Sequence, residues 1–129
     1  MKFPNSSNFS PGTGDFTVEW FQYQTSTSSW PRPFSIGSTQ LAVSIEGDSM
    51  YLWLGGTWIA NAILSNYSNT WVHFAIVRSG STIKVYKDGV SIISVANTSN
   101  IAFTGAFNIG AKDGSNAGES FNGYITNFR

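Results

Sequence analysis

The side chains best suited to acid, base or metal chemistry are seven carboxylates and one imidazole. They are Asp15, Glu19, Glu46, Asp48, Asp88, Asp113, Glu119 and His73. Glycosidic hydrolysis needs two carboxyl groups roughly 5–9.5 Å apart across the scissile bond. Asp15 and Glu19 share one face of an alternating segment, but four extended residues separate them by about 13 Å. Glu46 and Asp48 flank a tight turn and are expected in solvent. A Ser-His-Asp arrangement would rest on His73 alone and is not signalled by any spacing. His73 is expected to be a structural imidazole bonded to a neighbouring strand or loop. With no cysteine, disulfides, thiolate zinc sites and cysteine nucleophiles are excluded. The carboxylates never pair, so the chain is not expected to be an enzyme.

The aromatic side chains carry the stronger signal, and the strands that hold them can be read from alternation. From Asp15 to Gln24, Phe16, Val18 and Trp20 fall on one face. Thr17, Glu19, Phe21 and Tyr23 fall on the other, so this strand is expected to be central and covered on both sides. Further strands are expected near 33–37, 40–46, 49–54, 57–64, 71–79, 82–88, 90–96, 106–111 and 121–128. No stretch reads as an amphipathic helix. Many short strands with Gly, Asn, Asp or Ser between them predict a two-sheet antiparallel β-sandwich of jelly-roll type.

Gly47-Asp48, Gly55-Gly56 and Asp88-Gly89 read as two-residue hairpin turns. The registers follow. Ser44 faces Tyr51, Ala42 faces Trp53, Trp53 faces Trp58 and Leu52 faces Ile59. Val43, Ile45, Met50, Leu52, Leu54 and Ile59 then share the core face. Tyr51, Trp53 and Trp58 share the opposite face beside Ala42, Ser44 and Ala60, as a flat aromatic platform. A one-residue slip would reverse that assignment. Trp30, in the loop Ser29-Trp30-Pro31-Arg32-Pro33, is expected at the rim, and Trp20 and Trp71 in the core. Flat rings can stack on the C–H faces of sugars, with nearby Asn, Ser and Asp reaching hydroxyls. The same rings would equally serve packing or assembly.

Composition narrows the class. The formal net charge is +0 and only 11% of residues are charged, against about 25% in an ordinary domain. Without a basic excess the chain lacks a nucleic-acid footprint. No apolar run approaches the ~18 residues of a membrane span, so no membrane insertion is expected. An aromatic content of 16% argues against disorder. Sequons at Asn5, Asn8, Asn66 and Asn97 are what a Ser/Thr-rich composition yields by chance.

Three motifs together resemble a known family. Trp71-x-His73-x-Ala75 is followed by Arg78-x-Gly80 and by a strand ending Tyr86-x-Asp88-Gly89. Upstream stands Gly14-Asp15-Phe16-Thr17-Val18-Glu19-Trp20. Downstream come Phe107-Asn108-Ile109-Gly110 and the run from Phe121 to Arg129. In this order they resemble the laminin G-like jelly-roll domains of the concanavalin A-like lectin/glucanase superfamily, over residues 3–129. The texture is nearest to viral, phage and environmental versions. The resemblance implies one domain over 1–129. The family pattern has at least one further strand, so the chain reads as a trimmed module, a piece of a longer polypeptide, or a minimal version. It also implies a Ca²⁺ site at the rim, where Asp113, Asn116 and Glu119 could give three of the six to eight oxygens required. The alternative for that loop is a flexible polar hairpin.

The expected function is a non-catalytic binding module for glycan or another cell-surface receptor, through Tyr51, Trp53, Trp58 and Trp30. The alternative is a structural or decoration domain of a virion or fibre, with that face a homo-oligomer or assembly contact. Either places the chain in the extracellular space or on a virion surface.

Overall fold

The computed structural model describes residues 1–26, 30–37, 39–102, 104–112 and 119–129. Among the described residues, eleven strands form two antiparallel sheets. They are β1 (Lys2–Phe3), β2 (Phe16–Ser26), β3 (Phe34–Ile36), β4 (Leu41–Glu46), β5 (Ser49–Leu54), β6 (Thr57–Ile63), β7 (Trp71–Ser79), β8 (Thr82–Lys87), β9 (Val90–Ala96), β10 (Phe107–Ile109) and β11 (Asn122–Thr126). One sheet runs β1-β10-β3-β4-β5-β6 and the other β11-β2-β7-β8-β9. The described helical structure is a short 3-10 turn, Ser7–Phe9, capped by the Ser6 hydroxyl. The expected jelly-roll sandwich is therefore the fold.

The strands fall close to their predicted places, because alternation and turns agree. Glu46 pairs with Ser49, Leu54 with Thr57 and Lys87 with Val90, so all three hairpins have two-residue turns. Asp88 and Gly89 have φ of 49° and 80°, the positive pair that a type I′ turn demands. Strand β11 ends before its predicted limit, where Asn127 turns left-handed at φ 51°.

The core lies between the sheets. Phe34, Leu41, Val43, Ile45, Met50 and Leu52 from one sheet meet Trp20, Val72, Phe74, Ile76, Ile83 and Val85 from the other. Burying each large side chain contributes roughly 1.5–3 kcal/mol. Trp20 stacks on Phe74 at 5.6 Å and on Phe128 at 6.1 Å. Its indole N–H donates to Gln22 Oε1 at 2.8 Å. Gln22 in turn donates to Gln24 at 3.4 Å, so two buried amides are satisfied along β2 itself.

Three sequence expectations are corrected. First, β2 is central in its sheet but not covered on both sides, since the outward Phe21 and Thr25 are exposed. Second, Trp71 is not core. It points outward from β7 and is 51% exposed. Third, Leu52 faces Ala60 and not Ile59, because a bulge lies between Leu52 and Trp53. The extra residue turns Ala60 and Ala62 toward the core and brings Asn61 opposite Tyr51.

Candidate functional site

The outer face of β4, β5 and β6 gathers the four aromatic residues singled out in the sequence. Two-residue alternation sends Tyr51 and Trp53 outward from β5, and the Gly55-Gly56 turn sets Trp58 opposite Trp53 on the same side. Trp30 arrives from the loop ahead of β3. Its backbone is left-handed, at φ 55°, and its N–H donates to Glu46 Oε2 at 2.7 Å. Ile45 N–H donates to Pro31 O at 3.1 Å and holds the same loop against β4.

The rings do not form the flat platform expected. Trp30 lies 5.0 Å from Tyr51, tilted by 50°. Trp58 stands edge-on to Tyr51 at 5.3 Å and 74°, and Trp30 edge-on to Trp53 at 6.5 Å and 74°. Aromatic quadrupoles favour such tilted contacts over face-to-face stacking. The result is a ridged surface with Trp58, 50% exposed, as its outermost wall. Trp53 is held in place: its Nε1 donates to the buried Ser44 Oγ at 2.9 Å, and Arg32 lies over its ring at 5.4 Å. Among the described residues, Tyr51 Oη, Trp58 Nε1 and the Asn61 amide have no hydrogen-bond partner.

An ionic network abuts this face. Arg32 Nε donates to Glu119 Oε2 at 2.8 Å, and Lys112 Nζ to Glu119 Oε1 at 2.9 Å. Arg32 is only 4% exposed, so its charge needs compensation, to which this carboxylate contributes. The 110–112 segment is fixed from below: Ser35 Oγ donates to Ala111 O at 3.1 Å and Asn108 Nδ2 to Lys112 O at 3.1 Å. Phe121 N–H to Gly110 O and Gly110 N–H to Pro33 O close the arrangement. Glu119, expected as a calcium ligand, thus aims both oxygens at cations, which a metal would have to displace. Asp113 and Asn116 lie outside the described residues. Among the described residues, no three His, Cys, Asp or Glu side chains converge as a metal set.

His73 has the inter-strand bond expected of it, but the partner is an acid. His73 Nε2 is 3.1 Å from Glu19 Oε2, across the β2–β7 pair. Arg129 Nε donates to Glu19 Oε1 at 2.5 Å. The Arg129 hydrogen bond, followed by that of His73, holds the Glu19 carboxyl below its ordinary range against some desolvation. A general acid for glycoside chemistry needs the opposite shift. Asp15 accepts from Gly80 N–H at 2.7 Å, and Asp88 from His73 N–H at 3.0 Å.

A laminin G-type family model, described as the concanavalin A-like lectin/glucanases superfamily, matches residues 1–129. The chain belongs to this superfamily. Comparison with curated proteins returns no match. Among solved structures of the fold, a candidate carbohydrate-binding protein from Bacteroides ovatus has TM-score 0.75 at 18% identity, covering 99% of this chain and 42% of its own. Domains LG4-5 of the mouse laminin alpha1 chain give 0.69 at 16%, covering 96% and 37%. Domain 4 of an extracellular arabinanase from Geobacillus stearothermophilus, in complex with arabinotriose, gives 0.64 at 18%, covering 96% and 63%. The chain therefore spans less than two thirds of each. At such identities the likeness is one of fold. None of the three is viral, so the viral texture of the sequence has no counterpart among them.

Sequence reasoning missed Arg32, Lys112 and Asn61. Arg32 had a signal, since two flanking prolines fix its backbone. Lys112 depends on a long-range pairing, and Asn61 on the bulge.

Proposed function

We propose that this superfamily member is a non-catalytic carbohydrate-binding module of an extracellular protein, with its ligand on the outer face of β4–β6. The observation that carries the reading is the half-exposed Trp58 standing beside Tyr51 and Asn61, whose polar atoms have no partner among the described residues. A sugar ring laid on Trp58 places its hydroxyls within reach of Asn61 and Tyr51. Trp53 and Arg32 act as the locked floor. Support for a non-catalytic role comes from the carboxylates, since Asp15, Glu19, Glu46, Asp88 and Glu119 each bind a backbone N–H or a cation. The Bacteroides and arabinanase structures support the ligand class by the carbohydrate in their descriptions.

Glycan arrays with wild-type, Trp58→Ala and Trp53→Ala protein test the proposal. Trp58→Ala is expected to lose retention of at least one glycan with an unchanged melting temperature. Trp53→Ala is expected to lose the same retention and about 1–3 kcal/mol of stability, because it leaves Arg32 without its ring and Ser44 without its donor. If the face is an assembly contact of a virion or fibre instead, Trp58→Ala will alter the mass in solution and leave retention at background. Because Glu119 is already committed to two cations, retention should withstand EDTA. Retention lost in EDTA and restored by Ca²⁺ would make the 113–119 loop a calcium site.

A further inference from the structure

The opposite sheet carries a second aromatic site that the sequence did not signal. On its outer face Tyr124, Tyr23 and Trp71 stand in one cross-strand row. Tyr124 pairs with Tyr23 across β11–β2, and Tyr23 with Trp71 across β2–β7. Trp71 lies 5.8 Å from Tyr23 at 62°, and Tyr124 lies 6.2 Å from it at 60°. Two rings thus rise edge-on either side of a third and bound an open hollow of about 300 Å³.

The chemistry of the trough selects its occupant. Tyr23 Oη, Tyr124 Oη and Trp71 Nε1 have no hydrogen-bond partner among the described residues. The row itself holds no charged side chain. The next row along the strands holds Phe21 on His73 at 4.8 Å, and the Glu19–His73–Arg129 ion cluster begins there. A ligand for the trough needs apolar faces, many hydroxyls and no charge, which describes a neutral saccharide. A second copy of the chain fits less well. Phe21, Tyr23, Trp71 and Tyr124, each of about 150–250 Å² and only partly exposed, together offer about 300–500 Å², less than the roughly 800 Å² per partner of a stable interface.

We infer that the Tyr124–Tyr23–Trp71 trough is a second saccharide-binding site, on the face opposite the first. It rests on the proposed function only for the class of ligand. Two sites on opposed faces would let one module hold two glycan chains.

Native affinity electrophoresis of the full chain through gels holding arabinan, xylan, mixed-linkage β-glucan or alginate tests it. For at least one neutral polysaccharide, Trp71→Ala and Tyr124→Ala should each bind about tenfold more weakly than wild type. Both should melt close to the wild-type temperature, since half or more of each side chain is exposed. Trp58→Ala should keep the retardation that depends on Trp71. Retardation equal to wild type for both trough variants in every gel would overturn the second site alone. Loss in the trough variants with Trp58→Ala unaffected in every gel supports it and removes the first site. A wild-type chain slowed by none of the four gels overturns both. Concentration-dependent dimerisation in sedimentation velocity, abolished by Trp71→Ala with retardation unchanged, would assign the trough to self-association and overturn the inference.

Discussion

Glu19 and Asp88 are the carboxylates whose ionisation the fold favours, and both touch His73. Glu19 is lowered mainly by the Arg129 hydrogen bond. For Asp88, burial acts upward, but the His73 N–H bond and Lys87 outweigh it, and the net shift is down. A carboxylate with a depressed folded value adds stability above its unfolded value and loses it as pH falls through the folded one. Stability should therefore be level near neutrality and fall below about pH 4. Thermal melts across this range check it, and Glu19→Gln should flatten part of the fall. A melting temperature constant from pH 7 to pH 2 would contradict the assignment. The role of His73 as a strand-bridging residue was readable in its motif. Its acid partner was not, because Glu19 is 54 residues away and meets it only through the β2–β7 register.

At the scale of elements, local rules and long-range pairing divided the work. Hairpin turns set the β4–β5 register, and Asp88-Gly89 set that of β8–β9 at the turn. Both were legible because two residues decide each turn. The bulge in β5–β6 was not legible, since nothing local marks Leu52-Trp53, and so Asn61 was lost from the expected site. Trp71 misled for a related reason. Alternation gives the faces of a strand, but not whether another layer covers the outer one. A second bulge, at the β11–β2 pair, shifts the register between Asn122 and Gly123. Gly123 has φ 146°, and a Cβ there would lie 2.0 Å from Tyr23 O. Gly123→Ala should consequently loosen β11 and cost at least about 2 kcal/mol. Denaturant unfolding measures it. A loss below ~0.5 kcal/mol, the range of neutral surface changes, would show that β11 is not held as described.

The whole molecule is a sandwich whose two outer faces both present Trp and Tyr rings. The low charge content has a structural meaning at this scale: Asp15, Glu19, Glu46, Asp88 and Glu119 each bind a backbone N–H group or a cation. The sandwich class, strand order of the hairpins and core were written in the alternating pattern, because packing two sheets demands it. How the rings are held on the outer face was only half written there, as segments 30–33, 110–112 and 119–121 meet from far apart in sequence. The central claim is that the β4–β6 face holds carbohydrate through Trp58. Glycan-array binding by wild-type and Trp58→Ala protein, at equal concentration and equal melting temperature, tests it most directly. The account predicts at least one glycan whose retention by wild type falls to background in Trp58→Ala. Equal retention of every glycan by the two proteins, or none by wild type, would contradict it.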